Sequence, residues 1–192
     1  QSLLNAVEFV NASDKLTSGT RRLSIKVEDD QGLPSETVGQ TIEVKGINDA
    51  PSLQITPDPG LSFSEGQTAL RLANSLGLID PDVDVGVAHI QSASVRISGG
   101  FRPGEDLLTL GENPQDGKPF VDNISWNFDR QTGTLNLSGL DSTAAYQARL
   151  QALQYVNSSE SPDTSTTRSL TIVVSDQAGG MSSASIQLKV TG

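Results

Sequence analysis

Arg168-Ser-Leu-Thr-Ile-Val-Val-Ser-Asp176 decides how this chain is read, because nearly the same run occurs earlier as Arg21-Arg-Leu-Ser-Ile-Lys-Val-Glu-Asp29. In both, branched apolar residues fall at every second position. That two-residue period belongs to a strand with one buried face, since successive side chains of a strand point to opposite sides. The two runs lie 147 residues apart. A second pair, Leu4-Asn-Ala-Val-Glu-Phe-Val-Asn-Ala-Ser13 and Leu150-Gln-Ala-Leu-Gln-Tyr-Val-Asn-Ser-Ser159, lies 146 apart. Each copy then runs through a Gly and a Ser into an alternating strand, at Thr41–Val44 and Ile186–Val190.

A repeat of this period divides the chain in two. Residues 1–47 hold the last third of one copy and residues 48–192 a nearly complete one. The first part supplies about three strands and no second sheet, too little to bury an apolar face alone. It is therefore expected to associate with a neighbouring chain, a missing N-terminal portion or an exchanged copy, through neighbouring repeats or by strand complementation. The chain opens inside patterned sequence, so further sequence is expected upstream.

Alternation continues elsewhere: Val95 and Ile97; Ile124, Trp126 and Phe128; Leu135 and Leu137; Ile186, Leu188 and Val190. Trp126 is thereby expected to be buried, and Tyr155, which matches Phe9, to be a core position. Gly99-Gly100, Asp116-Gly117 and Gly179-Gly180 read as turns. Asp141 to Leu153 reads differently. Tyr146, Leu150 and Leu153 fall at i, i+4 and i+7, and Asp141 or Ser142 stands where a helix cap belongs. A short helix leading into a strand at Tyr155 is predicted, with Leu3 and Leu4 as its tail in the first copy. The fold class is all-β: a Greek-key β-sandwich of Ig-like or cadherin-like type, with one short helix, in tandem repeats.

Composition limits the function. Hydrophobic residues make up 35% and aromatics 4%, and there is no cysteine, which excludes disulfides and thiolate chemistry. With 23 acidic and 13 basic residues the net charge is −10. Such a surface repels nucleic acid and anionic membranes and suits hard cations. No apolar run approaches the roughly 18 residues of a membrane span, and no signal-peptide pattern is visible.

Six motifs then occur in order: Asn48-Asp49-Ala50-Pro51, Ser64-Glu65-Gly66, Asp80-Pro81-Asp82 extended by Asp84, Phe128–Leu135, Leu140-Asp141 with Tyr146–Asn157, and Val174–Asp176. Together they resemble the cadherin-like repeats of large extracellular proteins, of the bacterial surface and chondroitin-sulfate-proteoglycan types. The resemblance implies a calcium-stiffened structural or adhesive module at the cell surface. It implies Ca2+ between repeats, held at the Asn48 junction by Asn48, Asp49, Asp80, Asp82 and Asp176. It assigns Glu65 and Asp141 to the next junction and Asp29 to the one before. At that next junction the cadherin acid two places after Asp141 is Thr143 here, so the site is poorer in charge. The plainer reading of each acidic group is a solvated turn.

No enzyme is expected. His89 is the only histidine, has no evident partner, and reads as a surface or loop residue. Glu105-Asp106 reads as a loop pair, because neighbours on a strand face opposite ways. The competing reading is a carbohydrate-binding β-sandwich, which needs exposed aromatic rings. Of four Asn-x-Ser sequons, at Asn11, Asn123, Asn136 and Asn157, the first and last are equivalent in the repeat. Both are expected to turn the backbone through their side chains.

Overall fold

The computed structural model describes residues 6–56, 58–82, 88–112 and 119–192. Leu3, Leu4, Asp84 and the Asp116-Gly117 turn lie outside the described residues. The chain forms two compact units, Gln1–Asn48 and Asp49–Gly192.

In the first unit, β1 (Gly19–Ile25) and β2 (Val38–Val44) make an antiparallel hairpin, with Leu23 opposite Gln40 and Ile25 opposite Val38. Of the three strands expected here, the one through Phe9 is not formed. A strand needs a partner for its backbone N–H and C=O groups, and none reaches residues 7–13 among the described residues.

The second unit has a six-stranded sheet ordered β4-β13-β12-β7-β10-β9 and a three-stranded sheet ordered β5-β11-β8. The strands of the larger sheet are β4 (Ser62–Ser64), β7 (Ala88–Gly99), β9 (Ser125–Asp129), β10 (Thr134–Ser142), β12 (Arg168–Asp176) and β13 (Met181–Thr191). The smaller sheet contains β5 (Leu70–Arg71), β8 (Asp106–Leu110) and β11 (Leu153–Asn157). A separate pair joins β3 (Ser52–Gln54) to β6 (Gly77–Ile79). All three sheets feed one core, including Leu53, Phe63, Leu78, Val95, Leu108, Leu135, Tyr155, Leu170 and Leu188. The Phe63 and Tyr155 rings meet edge to face across it, with centroids 5.2 Å apart.

The helix α1 (Thr143–Gln151) starts where Ser142 caps it, its hydroxyl accepting from the Ala145 amide at 3.2 Å. Tyr146, Leu150 and Leu153 are fully buried, as their spacing requires. Just before it, β10 bulges between Ser138 and Asp141. Gly139 sits there at φ +133°, and a Cβ would lie 2.2 Å from the Asn123 carbonyl oxygen, so only glycine fits. The Tyr146 hydroxyl seals the bulge, 2.6 Å from the Gly139 carbonyl oxygen and 3.0 Å from that of Gln91. Burial, with the Asp141 and Asp122 charges, pushes this hydroxyl up to about 12. At the other end of the helix Arg149 grips Asp122 at 2.8 and 2.6 Å and lies over the Phe120 ring.

Trp126 departs from expectation: it is 41% exposed. It pairs with Leu137 across β9 and β10, and Leu137 is buried. β9 is the edge strand, however, so the ring is flanked by the sheet on one side only. Alternation assigns a face, and an edge leaves that face uncovered.

The buried face of β12 is Arg168, Leu170, Ile172, Val174 and Asp176. Its first charge is neutralised inside the fold. Asp106 accepts from Arg168 Nε at 3.0 Å, the Tyr155 hydroxyl at 2.5 Å, Asn157 Nδ2 at 2.7 Å and the Arg102 amide at 2.7 Å. Asp106 thus opens a strand with its side chain buried, where a loop carboxylate is expected from sequence. Burial, and then the bond to Asp106, push the Tyr155 hydroxyl well above the usual phenol range. Removing one partner of such a pair strands the other charge, typically at a cost of about 3–5 kcal/mol. Arg168→Met is therefore expected to lower the unfolding free energy by about that amount, read from urea denaturation; a loss under about 1 kcal/mol, the scale of exposed pairs, would contradict this role.

Candidate metal centre

The second charge of that face, Asp176, has a different setting. Asp176 ends β12 opposite Ile90 of β7, and β12 then turns back through residues 177–180 into β13. Its Oδ1 accepts from the Gly180 amide at 2.8 Å, and its own amide donates to the Gly180 carbonyl at 3.0 Å. The Gln177 amide donates to the His89 carbonyl at 2.8 Å, tying this turn to the start of β7.

Asp80 follows β6 in the Asp80-Pro81-Asp82 turn. Its Oδ1 accepts from the Asp82 amide at 3.1 Å, and Asp82 Oδ2 accepts from the Asp49 amide at 2.6 Å. Asp80 Oδ2 points the other way, 3.6 Å from His89 Nε2. The ligand-capable atoms of Asp80, His89 and Asp176 all lie within 4.8 Å of one another. Asp80 is 6% exposed and Asp176 2%.

Two buried carboxylates this close repel each other, and each loses hydration. Burial raises the Asp80 carboxyl above its ordinary range; the Asp82 amide and His89 oppose the rise, while the Asp82 and Asp176 charges add to it. Asp80 Oδ2 and His89 Nε2 are both buried without a hydrogen-bond partner. Buried polar atoms are otherwise nearly always bonded. Two buried atoms without hydrogen bonds, 3.6 Å apart and converging with a second carboxylate, fit a divalent cation. Carboxylate oxygens suit calcium, whereas an imidazole nitrogen suits zinc, manganese and similar ions.

Four of the acidic residues expected at this junction thus belong to one end of the second unit: Asp80 and Asp176 face each other, Asp82 is bonded to Asp80, and Asp49 is bonded to Asp82. Asn48 closes the first unit. His89 corrects the sequence reading. It stands on β7, its side chain only 18% exposed, and faces Asp80. No periodic signal in the sequence marked it, because the residue two places on, Gln91, is exposed.

Glu65 and Asp141, assigned together to one further junction, stand at opposite ends of the larger sheet. Glu65 follows β4, its amide bonded to the Thr191 carbonyl at 2.8 Å, at the end of the sheet far from Asp176. Asp141 pairs with Ile90, the residue that also faces Asp176, so it lies at the Asp176 end, across β7. Its oxygens accept from the Asn123 amide at 2.9 Å and the Ser142 amide at 2.7 Å, and it serves the bulge. In the first unit, Asp29 Oδ1 accepts from the Gln31 and Leu33 amides, both at 2.9 Å, and so holds the hairpin turn. Asn11 and Asn157 turn the backbone as expected, accepting from the Ser13 and Ser159 amides at 2.9 Å.

No protein-family model and no curated protein matches the chain. Among solved structures, it is similar to a DUF4466 family protein from Parabacteroides merdae, with 14% identity and a TM-score of 0.41. The match covers 72% of this chain and 44% of that one.

The geometry makes a prediction for the ion-free protein. With chelator present, Asp80→Asn is expected to leave stability unchanged or raise it by about 1 kcal/mol, because an uncompensated buried charge disappears. Urea denaturation at neutral pH measures this. A loss of several kcal/mol would mean that Asp80 is an ordinary structural partner.

Proposed function

We propose that the protein is a structural or adhesive module of an extracellular, cell-surface tandem array, built on a cadherin-like Greek-key sandwich and stiffened by a divalent cation where successive repeats meet. The observation that carries this reading is the buried Asp80–His89–Asp176 group with its orphaned Asp80 Oδ2 and His89 Nε2. It stands at the end of the second unit where the chain enters, next to Asp82 and Asp49. The ion proposed is calcium, held by Asp80, Asp82 and Asp176, with neighbouring repeats as the partners.

The cation has a plain physical task. It offsets the repulsion of carboxylates drawn from two segments and ties the Asp80 turn to the β12–β13 turn. Binding to the folded state alone stabilises it by about 2.7 kcal/mol at a hundredfold excess over Kd. For a unit of this size that is a melting shift of about 5–10 °C.

A second reading rests on Trp126, whose exposed ring is the type of surface a sugar stacks on. A groove beside β3 and β5, lined by Ile55, Leu61, Arg71, Leu72 and Ile186, contains no aromatic ring. Among the described residues Trp126 is the one exposed aromatic ring of the second unit, and the other, Phe9, belongs to the first unit; a lone platform is a weak glycan site, so the metal-stiffened reading is preferred.

Thermal melts with chelator and with millimolar calcium test the proposal. A rise of about 5 °C or more, lost in Asp80→Asn and in Asp176→Asn, is the expected result. No rise with any divalent ion would overturn it. If zinc or manganese raises the midpoint and calcium does not, and His89→Ala removes the effect, the nitrogen donor selects the ion and calcium is wrong.

A further inference from the structure

The hairpin of the first unit repeats the register and the turn bonds of the second, although β1 ends at Ile25 and the Val27 amide donates to the Ser35 hydroxyl at 3.1 Å. In β1–β2, Arg21 faces Ile42 and Leu23 faces Gln40; in β12–β13, Arg168 faces Leu188 and Leu170 faces Ile186. The turns agree as well. The Asp29 amide donates to the Leu33 carbonyl at 3.1 Å and Oδ1 accepts from the Leu33 amide at 2.9 Å. The Asp176 and Gly180 counterparts are 3.0 and 2.8 Å. Even the Asx contacts of Asn11 and Asn157 coincide.

What differs is the covering. Tyr155 and Val174 are fully buried, whereas their counterparts Phe9 and Val27 are 49% and 50% exposed. Val7 and Val10 are exposed too. In the second unit the free side of β12 is taken by β7, which sets Ile97, Val95 and Ala93 beside Leu170, Ile172 and Val174. Among the described residues β1 pairs with β2 alone. In the second unit Asp106 neutralises Arg168. Arg21 reaches only the Thr17 carbonyl, at 3.0 Å, and no carboxylate among the described residues.

We infer that the apolar face and β1 edge of the first unit are a docking surface for one occupant: a polypeptide segment with the chemistry of residues 49–146, supplied by a further copy of this repeat. It brings a strand like β7, antiparallel to β1, that places small and branched side chains beside Leu23, Ile25 and Val27. It also brings a carboxylate in the position of Asp106, which the charge of Arg21 calls for. With that segment in place, residues 7–11 gain the strand partners that β8 and β5 give β11.

The test is a chain in which residues 49–146 precede Gln1, a join that continues the repeat because Gln1 stands 146 positions before Gln147. Hydrogen exchange is followed at the Leu23–Val27 amides, with Leu170–Val174 as the internal reference. The expected result is exchange at least about tenfold slower at Leu23–Val27 than in the 192-residue chain, a core strand's response to being paired. Asp106→Ala in the added copy alone should remove much of that protection. Unchanged exchange with the reference still protected would overturn the inference. Should the longer chain lose protection at the reference strand, a synthetic peptide spanning Ala88–Gly99 is added in millimolar excess to the 192-residue chain. Slowing at Leu23–Val27 then supports the inference, and no slowing overturns it.

Discussion

The inward face of β12 sets the terms for the second unit. Its two-residue period puts Leu170, Ile172 and Val174 in the core, and the same period puts Arg168 and Asp176 on that face at either end. A charge at a core boundary must find a partner or remain costly. The two ends meet this demand in opposite ways. Around Arg168 the fold supplies a paired answer: the Asp106 carboxylate, which accepts four hydrogen bonds from four separate positions, although Arg168 Nη2 has no hydrogen-bond partner. Around Asp176 it supplies a second carboxylate and an imidazole, with two lone-pair atoms left over. One end pairs its charge with a carboxylate, and the other sets two carboxylates beside an imidazole.

The helix insertion and the bulge serve that second end. Gly139 lets β10 swing past Asn123, Tyr146 fastens the swing to β7 through the Gln91 carbonyl, and Asp141 bonds the Asn123 and Ser142 amides. The head of β7, and with it His89, is therefore held by bonds from β10, α1 and the β12–β13 turn together. A site whose donors come from separate segments needs such a frame, because small displacements of any one donor spoil convergence.

The two hairpins make a natural comparison of one local structure in two settings. Register and the turn contacts of Asp29 and Asp176, and of Asn11 and Asn157, are the same, so these features follow from local sequence. Burial is not the same, so it follows from what lies alongside. Phe9 and Tyr155 are both aromatics in the same frame, and only the one with strands on both sides becomes core.

Read alone, the sequence determined the all-β class, the hairpins, the capped helix with its Tyr146–Leu150–Leu153 face, and the acidic turns at Asp80 and Asp176. All of these rest on interactions within a few residues, where period and capping chemistry act. Only the tertiary structure decided that His89 faces Asp80, that Asp106 rather than a surface loop answers Arg168, that Asp141 lies at the opposite end from Glu65, and that Trp126 stays exposed. Each of those depends on strand order, a bulge or an edge, which are set by packing between segments tens of residues apart. Periodicity tells a side chain which face to take, and only the assembled sheets determine what waits on that face.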